Sequence, residues 1–167
     1  MQDEKNRRDP LSFVPIGIIH TPFTDITGMP IQPTGARGIR GSVGIFSEYA
    51  EGLRDIEGFS HLFLIYAFHR YPSYQLTVTP FLDTIPRGVF ATRAPKRPNT
   101  IGLSTVRLIE VKGTMLVVED VDILDGTPLL DLKPYVPAFD SYPDASSGWL
   151  EWSAQSAGSF RSDERFR

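Results

Sequence analysis

Fourteen glycines and fourteen prolines break this 167-residue chain into short runs, and that punctuation limits the fold more than any other feature. Both residues are poor in helix interiors, so an all-helical bundle is disfavoured. The runs between the breaks are β-branched and aromatic. Phe13 to His20 predicts a first strand, ended by Thr21-Pro22, and Asp25 to Gly41 predicts a long loop. Ser42 to Phe46 predicts a short strand, after which Ser47 caps a brief helix through Leu53 with Glu48 and Glu51 near its positive end. Phe59 to His69 is too apolar for a half-exposed strand and predicts one buried on both faces. Gly88 to Thr92 predicts another strand, and Thr100 to Val111 with Thr114 to Val121 predicts a hairpin turning at Lys112-Gly113. Short strands and tight turns favour a mainly β, single-domain, closed or nearly closed β-barrel with one or two short helices, distinct from a Rossmann fold.

The length suits one hydrophobic core. The expected organisation is a flexible N-terminal tail over residues 1–11, a barrel domain over 12–143 and a loosely packed C-terminal tail over 144–167. Trp149 and Trp152 stand in that tail, where two tryptophans so close together bury area on the body or on a partner subunit. There is no cysteine, so disulfides, zinc fingers and thiol nucleophiles are excluded by inventory. The charged N-terminus does not resemble a signal peptide and no window approaches a membrane span, so a cytoplasmic setting is expected.

A net charge of -3 argues against coating nucleic acid by bulk positive charge. Distribution says more than the sum. From Thr84 to Ile109 there is no acidic residue, yet Arg87, Arg93, Lys96, Arg97 and Arg107 fall there, which predicts a local cationic surface or a chance cluster on a solvated face.

No metal is expected. His61 and His69 on one strand would stand about 26 Å apart, and Asp120, Asp122 and Asp125 lack the spacing of a calcium loop, reading instead as a solvated strand end. No Gly-x-Ser-x-Gly elbow occurs, and Gly35, Gly38, Gly41 and Gly44 form neither a Walker loop nor a dinucleotide fingerprint.

What remains is Gly88 to Ser104, where Thr92, Arg93, Lys96, Arg97 and Asn99 surround Pro95 and Pro98. Paired prolines stiffen the loop, and a rigid cationic loop suits a carboxylate, phosphate or nucleobase; a structural crossover with exposed arginines is the alternative. A second polar cluster, Asp125-Gly-Thr-Pro128 followed by Asp131-Leu-Lys133-Pro-Tyr135, starts just past the hairpin and reads otherwise as a β-turn.

The run Gly-Val-Phe-Ala-Thr-Arg-Ala-Pro-Lys-Arg-Pro-Asn-Thr-Ile-Gly-Leu-Ser, preceded by Phe59-Ser-His-Leu and followed by Asp125-Gly-Thr-Pro-Leu-Leu-Asp-Leu-Lys-Pro-Tyr, resembles the signature of the TrmO family. The resemblance covers about Val14 to Tyr142. It implies a small β-barrel that binds S-adenosylmethionine, works as a homodimer and methylates N6 of N6-threonylcarbamoyladenosine, 3′ of the tRNA anticodon. It further implies cofactor contacts at Gln32, Pro33, Thr34, His69, Arg70, Arg93, Leu103, Leu124, Asp125, Gly126 and Thr127. Lys96, Arg97, Asn99 and Lys133 are the candidates for tRNA contact. Methyl transfer needs no metal, only an acceptor for the N6 proton, and Asp125 or a main-chain carbonyl is the candidate. Thr100 stands where the family often has Pro, and Ala94 where it often has Ser. Longer bacterial members carry a further C-terminal domain. Its absence motivates a second reading, a non-catalytic S-adenosylmethionine- or RNA-binding regulatory barrel.

Overall fold

The computed structural model describes residues 9–166, so the expectation for the N-terminal tail falls mostly outside the described residues. Among the described residues, eight strands and one short α-helix form, with several 3-10 turns between them: β1 Gly17–His20, β2 Arg40–Ile45, β3 His61–Ala67, β4 Thr77–Val78, β5 Arg87–Gly88, β6 Ile101–Lys112, β7 Met115–Glu119, β8 Thr127–Pro134 and α1 Pro137–Asp140. Six of them close an antiparallel barrel in the order β1-β2-β7-β6-β3-β8, while β4 and β5 pair separately. Closure leaves no unpaired edge in the main sheet.

Period-two patterning fills the barrel. Leu62, Leu64 and Tyr66 of β3 face Val106 of β6, Leu116 and Val118 of β7, Leu129 of β8, Val43 of β2 and Ile19 of β1, all at most 6% exposed. The β6–β7 hairpin turns at Gly113, whose φ of 61° lies in the left-handed region that glycine enters without a Cβ penalty. At the other end of β6, Gly102 pairs with Tyr66, and a Cβ there would lie 2.2 Å from the tyrosine ring. That approach lets the ring lie flat over the strand.

Several local expectations change. β1 begins at Gly17 rather than Phe13, and Phe13 and Val14 are exposed. Residues Ser47–Leu53 form a 3-10 helix in which Ser47 is the first helical residue and makes no cap bond. β3 alternates buried and half-buried residues instead of being buried on both faces, because part of its outer face is covered by single side chains, such as Tyr135 edge-on to Phe63. The strand expected at Gly88 to Thr92 stops at Gly88 and gives way to a 3-10 turn over Val89–Ala91.

The C-terminal segment is also better packed than its composition suggests. Ser162 exchanges main-chain hydrogen bonds with Gly28 and Met29, and its hydroxyl donates to the Ile26 carbonyl at 2.6 Å. Phe166 is buried with Val78, Val89 and Ala94, edge-on to Phe81. Trp149 donates its indole N–H to the Ala91 carbonyl at 2.8 Å, with Arg87 over its ring, whereas Trp152 is 90% exposed. A small second core therefore joins the chain's end to the proline-rich loop.

Candidate functional site

One end of the barrel opens into a pocket lined from three parts of the chain. The last turn of β3 gives Tyr66, then Phe68, His69, Arg70 and Tyr71; the link from β7 to β8 gives Asp122, Ile123, Leu124 and Thr127. Ile26 and Met29 of the long loop form the remaining wall, and this is the stretch that Ser162 clamps.

A chain of hydrogen bonds runs through the pocket floor. The Tyr66 hydroxyl lies 3.1 Å from Ser104 Oγ, which donates to Asp122 Oδ1 at 2.7 Å. Burial pushes the Asp122 carboxyl up to about 6, against the opposing pull of the Ser104 hydroxyl and the Arg93 cation. Burial also raises Tyr66, so it remains a neutral phenol that can donate a hydrogen bond. Asp122 is the single carboxylate among the lining residues, not the solvated strand end that its sequence context suggests. At the rim, surrounding protein and the Arg70 cation hold His69 below its ordinary value, favouring a neutral imidazole.

The sequence-derived site residues divide into three groups. His69, Arg70, Leu124 and Thr127 line the pocket. Gln32 and Arg93 meet beside it: the guanidinium donates to Gln32 Oε1 at 3.0 Å, and Arg93 is close enough to act on both Asp122 and Tyr66. Pro33 and Thr34 continue from Gln32 as a 3-10 turn.

The others point elsewhere. Leu103 faces outward from β6 and is 54% exposed, since the inward positions of that strand are Gly102 and Ser104. Asp125 lies outside the pocket lining: its carboxylate accepts the Thr21 N–H at 3.0 Å and sits 3.4 Å from His20 Nδ1, tying the turn to the end of β1. Gly126 takes a φ of 76° in the same turn. Lys133 pairs with Asp131 toward the far end of β8, roughly 20 Å of strand from Thr127.

The cationic loop is partly self-satisfied. Arg97 donates through one nitrogen to the carbonyls of Val89, Thr92 and Ala94 and lies over Phe90, which fixes the loop around Pro95. Arg87 pairs with Asp83 and Arg107 with Glu119, so two cations of the predicted surface are neutralised locally, while Asn99 is exposed. Tyr66, Ser104 and Asp122 were not singled out by sequence as a site. The available signal was the alternation of β6, which puts Ser104 on the inward face beside Gly102.

The pocket suits S-adenosylmethionine by its donor set. Apolar and aromatic walls from Ile26, Met29, Phe68 and Tyr71 accept a nucleoside, and the guanidinium groups of Arg70 and Arg93 suit an amino-acid carboxylate. Among the described residues no group of three or more acidic or histidine side chains is arranged to hold a metal, and no helix is long and apolar enough to cross a membrane.

Known proteins are similar to this chain over most of its length. Residues 18–141 match the family described as tRNA-methyltransferase O N-terminal domain. A probable S-adenosyl-L-methionine-binding protein of Pyrococcus abyssi is 53% identical over 156 residues, covering 93% of this chain and 85% of its own. The tRNA (adenine(37)-N6)-methyltransferase of Escherichia coli is 36% identical, and the match spans 83% of this chain but 63% of that enzyme. The crystal structure of TrmO from Pseudomonas aeruginosa superposes with a TM-score of 0.72 at 38% identity, covering 86% of this chain and 62% of that one. The barrel, the ordered motifs and these matches agree that the chain belongs to the TrmO N-terminal domain family.

Proposed function

We propose that this protein transfers a methyl group from S-adenosylmethionine to N6 of the modified adenosine 3′ of the tRNA anticodon, the threonylcarbamoylated base. The observation that carries the proposal is the convergence of Gln32, His69, Arg70, Arg93, Leu124 and Thr127, drawn from four distant parts of the chain, around one pocket with an internal carboxylate. The cofactor, when bound, supplies an electrophilic methyl group. The protein's part is to hold it against the apolar wall, to exclude water and to take up the N6 proton.

Its walls divide these tasks. Arg70 and Arg93 hold the cofactor carboxylate, and the segment of Leu124 and Thr127, whose hydroxyl already bonds the Leu124 carbonyl at 2.6 Å, offers main-chain groups to the adenine edge. Lys96 and Asn99, on the stiff loop beside Arg93, meet the tRNA backbone. Lys133, far along β8, contacts tRNA only if the RNA wraps the barrel. A homodimer would cover the exposed apolar side chains Leu103, Ile101 and Phe90 near the site. The chain spans 63% of the length of the E. coli enzyme it matches.

The experiment is direct. Purified protein is incubated with S-adenosylmethionine and tRNA bearing threonylcarbamoyladenosine, and the nucleosides are resolved by mass spectrometry. The expected product is heavier by one methylene on that nucleoside; cofactor binding with no change in tRNA would instead favour a regulatory barrel.

A further inference from the structure

Methylating an acylated exocyclic nitrogen requires that its proton leave, because the lone pair is delocalised into the ring and the carbamoyl group until it does. We propose that Asp122 is the proton acceptor, with Ser104 and Tyr66 as the positioning residues that hold its carboxylate toward the pocket. This rests on the methyltransferase reading above.

Three features of the site carry it. Asp122 is the single carboxylate among the residues lining the pocket, whereas Asp125 is occupied by the Thr21 N–H and stands beside His20. Ser104 donates to Oδ1 of Asp122 at 2.7 Å, and the Asp122 main-chain N–H also bonds to its carboxylate, so the group is held in place by its own strand end and by β6. Ser104 is itself fixed by Tyr66, whose ring is seated on Gly102, so the carboxylate is oriented by two strands rather than by a loop. A carboxyl whose affinity for protons lies near 6 is a stronger base than an ordinary aspartate and is still ionised at neutral pH.

The step balances. The N6 lone pair forms the new bond to the methyl carbon, the sulfur–methyl bond breaks with its electron pair left on sulfur, and the N6 proton passes to Asp122. The positive charge of the sulfonium and the negative charge of the carboxylate are consumed together. The resulting carboxylic acid then loses its proton to water.

The groups facing Asp122 set its titration. Burial raises it, Ser104 from β6 and the Asp122 main-chain N–H lower it through hydrogen bonds, and Arg93 from the proline-rich loop lowers it by charge. His69 and Arg70 stand at the rim.

The test uses the full chain, tRNA and S-adenosylmethionine, with Asp122→Asn and Ser104→Ala beside the wild type. Cofactor binding is measured by calorimetry, single-turnover transfer from about pH 5 to pH 9, and the Asp122 titration by carbon-13 NMR of the unliganded protein. Asp122→Asn is expected to bind cofactor within about threefold of wild type while transfer falls about 100-fold or more. Ser104→Ala, which removes a bond that favours the ionised form, is expected to move the Asp122 titration and the acid limb of the rate profile together to higher pH. Transfer by Asp122→Asn within about fivefold of wild type would overturn the proposal. So would loss of cofactor affinity by about tenfold or more, which would make Asp122 a cofactor ligand. An acid limb that stays put while the NMR titration moves would overturn it too. Wild type that binds cofactor but transfers nothing overturns the methyltransferase reading itself, and with it this role.

Discussion

The guanidinium of Arg93 donates a 3.0 Å hydrogen bond to the side-chain carbonyl of Gln32, joining the long loop after β1 to the proline-rich motif 61 residues later. Gln32 is half-buried and Arg93 exposed, and together they give the pocket rim a positioned positive group. A hydrogen bond to a charged group contributes about 1.5–3 kcal/mol, so Arg93→Ala is expected to weaken S-adenosylmethionine binding by roughly 10- to 100-fold. Gln32→Ala should weaken it less, and the double variant should cost less than the sum of the two in a calorimetric double-mutant cycle. Strict additivity would mean that the pair does not act as a unit.

Gly102 cannot accept a side chain without displacing its neighbour. Its Cβ would lie 2.2 Å from the Tyr66 ring and 2.4 Å from the atom that bears the hydroxyl. Gly102→Ala is expected to destabilise the barrel by about 1–3 kcal/mol or more, because relief requires moving a ring packed against Phe68. Denaturant unfolding checks the stability, and loss of the Tyr66 to Ser104 bond should appear as a changed Asp122 titration.

Acidity bears on stability through Asp122 with a definite sign. Its carboxyl titrates near 6 in the folded protein against an ordinary value of 3.8, so the folded state holds the extra proton between those limits. Stability from this group is therefore greatest at low pH and falls as pH rises through about 6, at a total cost of about 3 kcal/mol for the buried charge. Asp122→Asn should unfold at equal or higher denaturant than wild type at neutral pH, with the difference shrinking as pH falls toward 4. Carboxylates held low, such as Glu119 between Arg40 and Arg107, work in the opposite direction under acid, so the comparison is made as a difference between the two proteins.

The barrel was legible in the sequence because its determinants are local. The hairpin around Gly113 carries its turn residue and its β-branched arms within about twenty positions, and the alternation of β6 is visible in Gly102, Ser104 and Val106. Strand ends were less legible. Val89 to Ala91 has a strand's composition, yet it turns because Val89 is drawn into the small core with Phe166, 77 positions away. Asp122 looked like a solvated strand end because it follows β7 among other aspartates, whereas the β6–β7 register, which pairs Arg107 with Glu119, puts Ser104 across from it three residues further on. The family resemblance named Arg93, His69 and the Leu124–Thr127 turn, but a motif does not say which way a side chain points. Leu103 turned outward, and Asp125 was used to hold Thr21.

The C-terminal segment braces the pocket from outside. Phe166 closes the small core beside the proline-rich loop, and Ser162 ties down Met29 and Ile26, which form a pocket wall. Phe166→Ala should remove roughly 3 kcal/mol of local packing and speed amide exchange over residues 149–166, with the barrel strands still protected. Cofactor affinity should fall several-fold as the wall loosens. Unchanged exchange in this segment would show that Phe166 does not hold it.

Binding of S-adenosylmethionine in this pocket would stabilise the fold, so thermal unfolding is compared with and without the cofactor. At a concentration about 100-fold above its dissociation constant a ligand adds about 2.7 kcal/mol to stability. For a chain of this length that corresponds to a rise in Tm of about 5–10 °C, and Arg93→Ala should largely abolish it at the same concentration. A wild-type Tm that stays unmoved as the cofactor is raised to saturating millimolar levels would contradict the account.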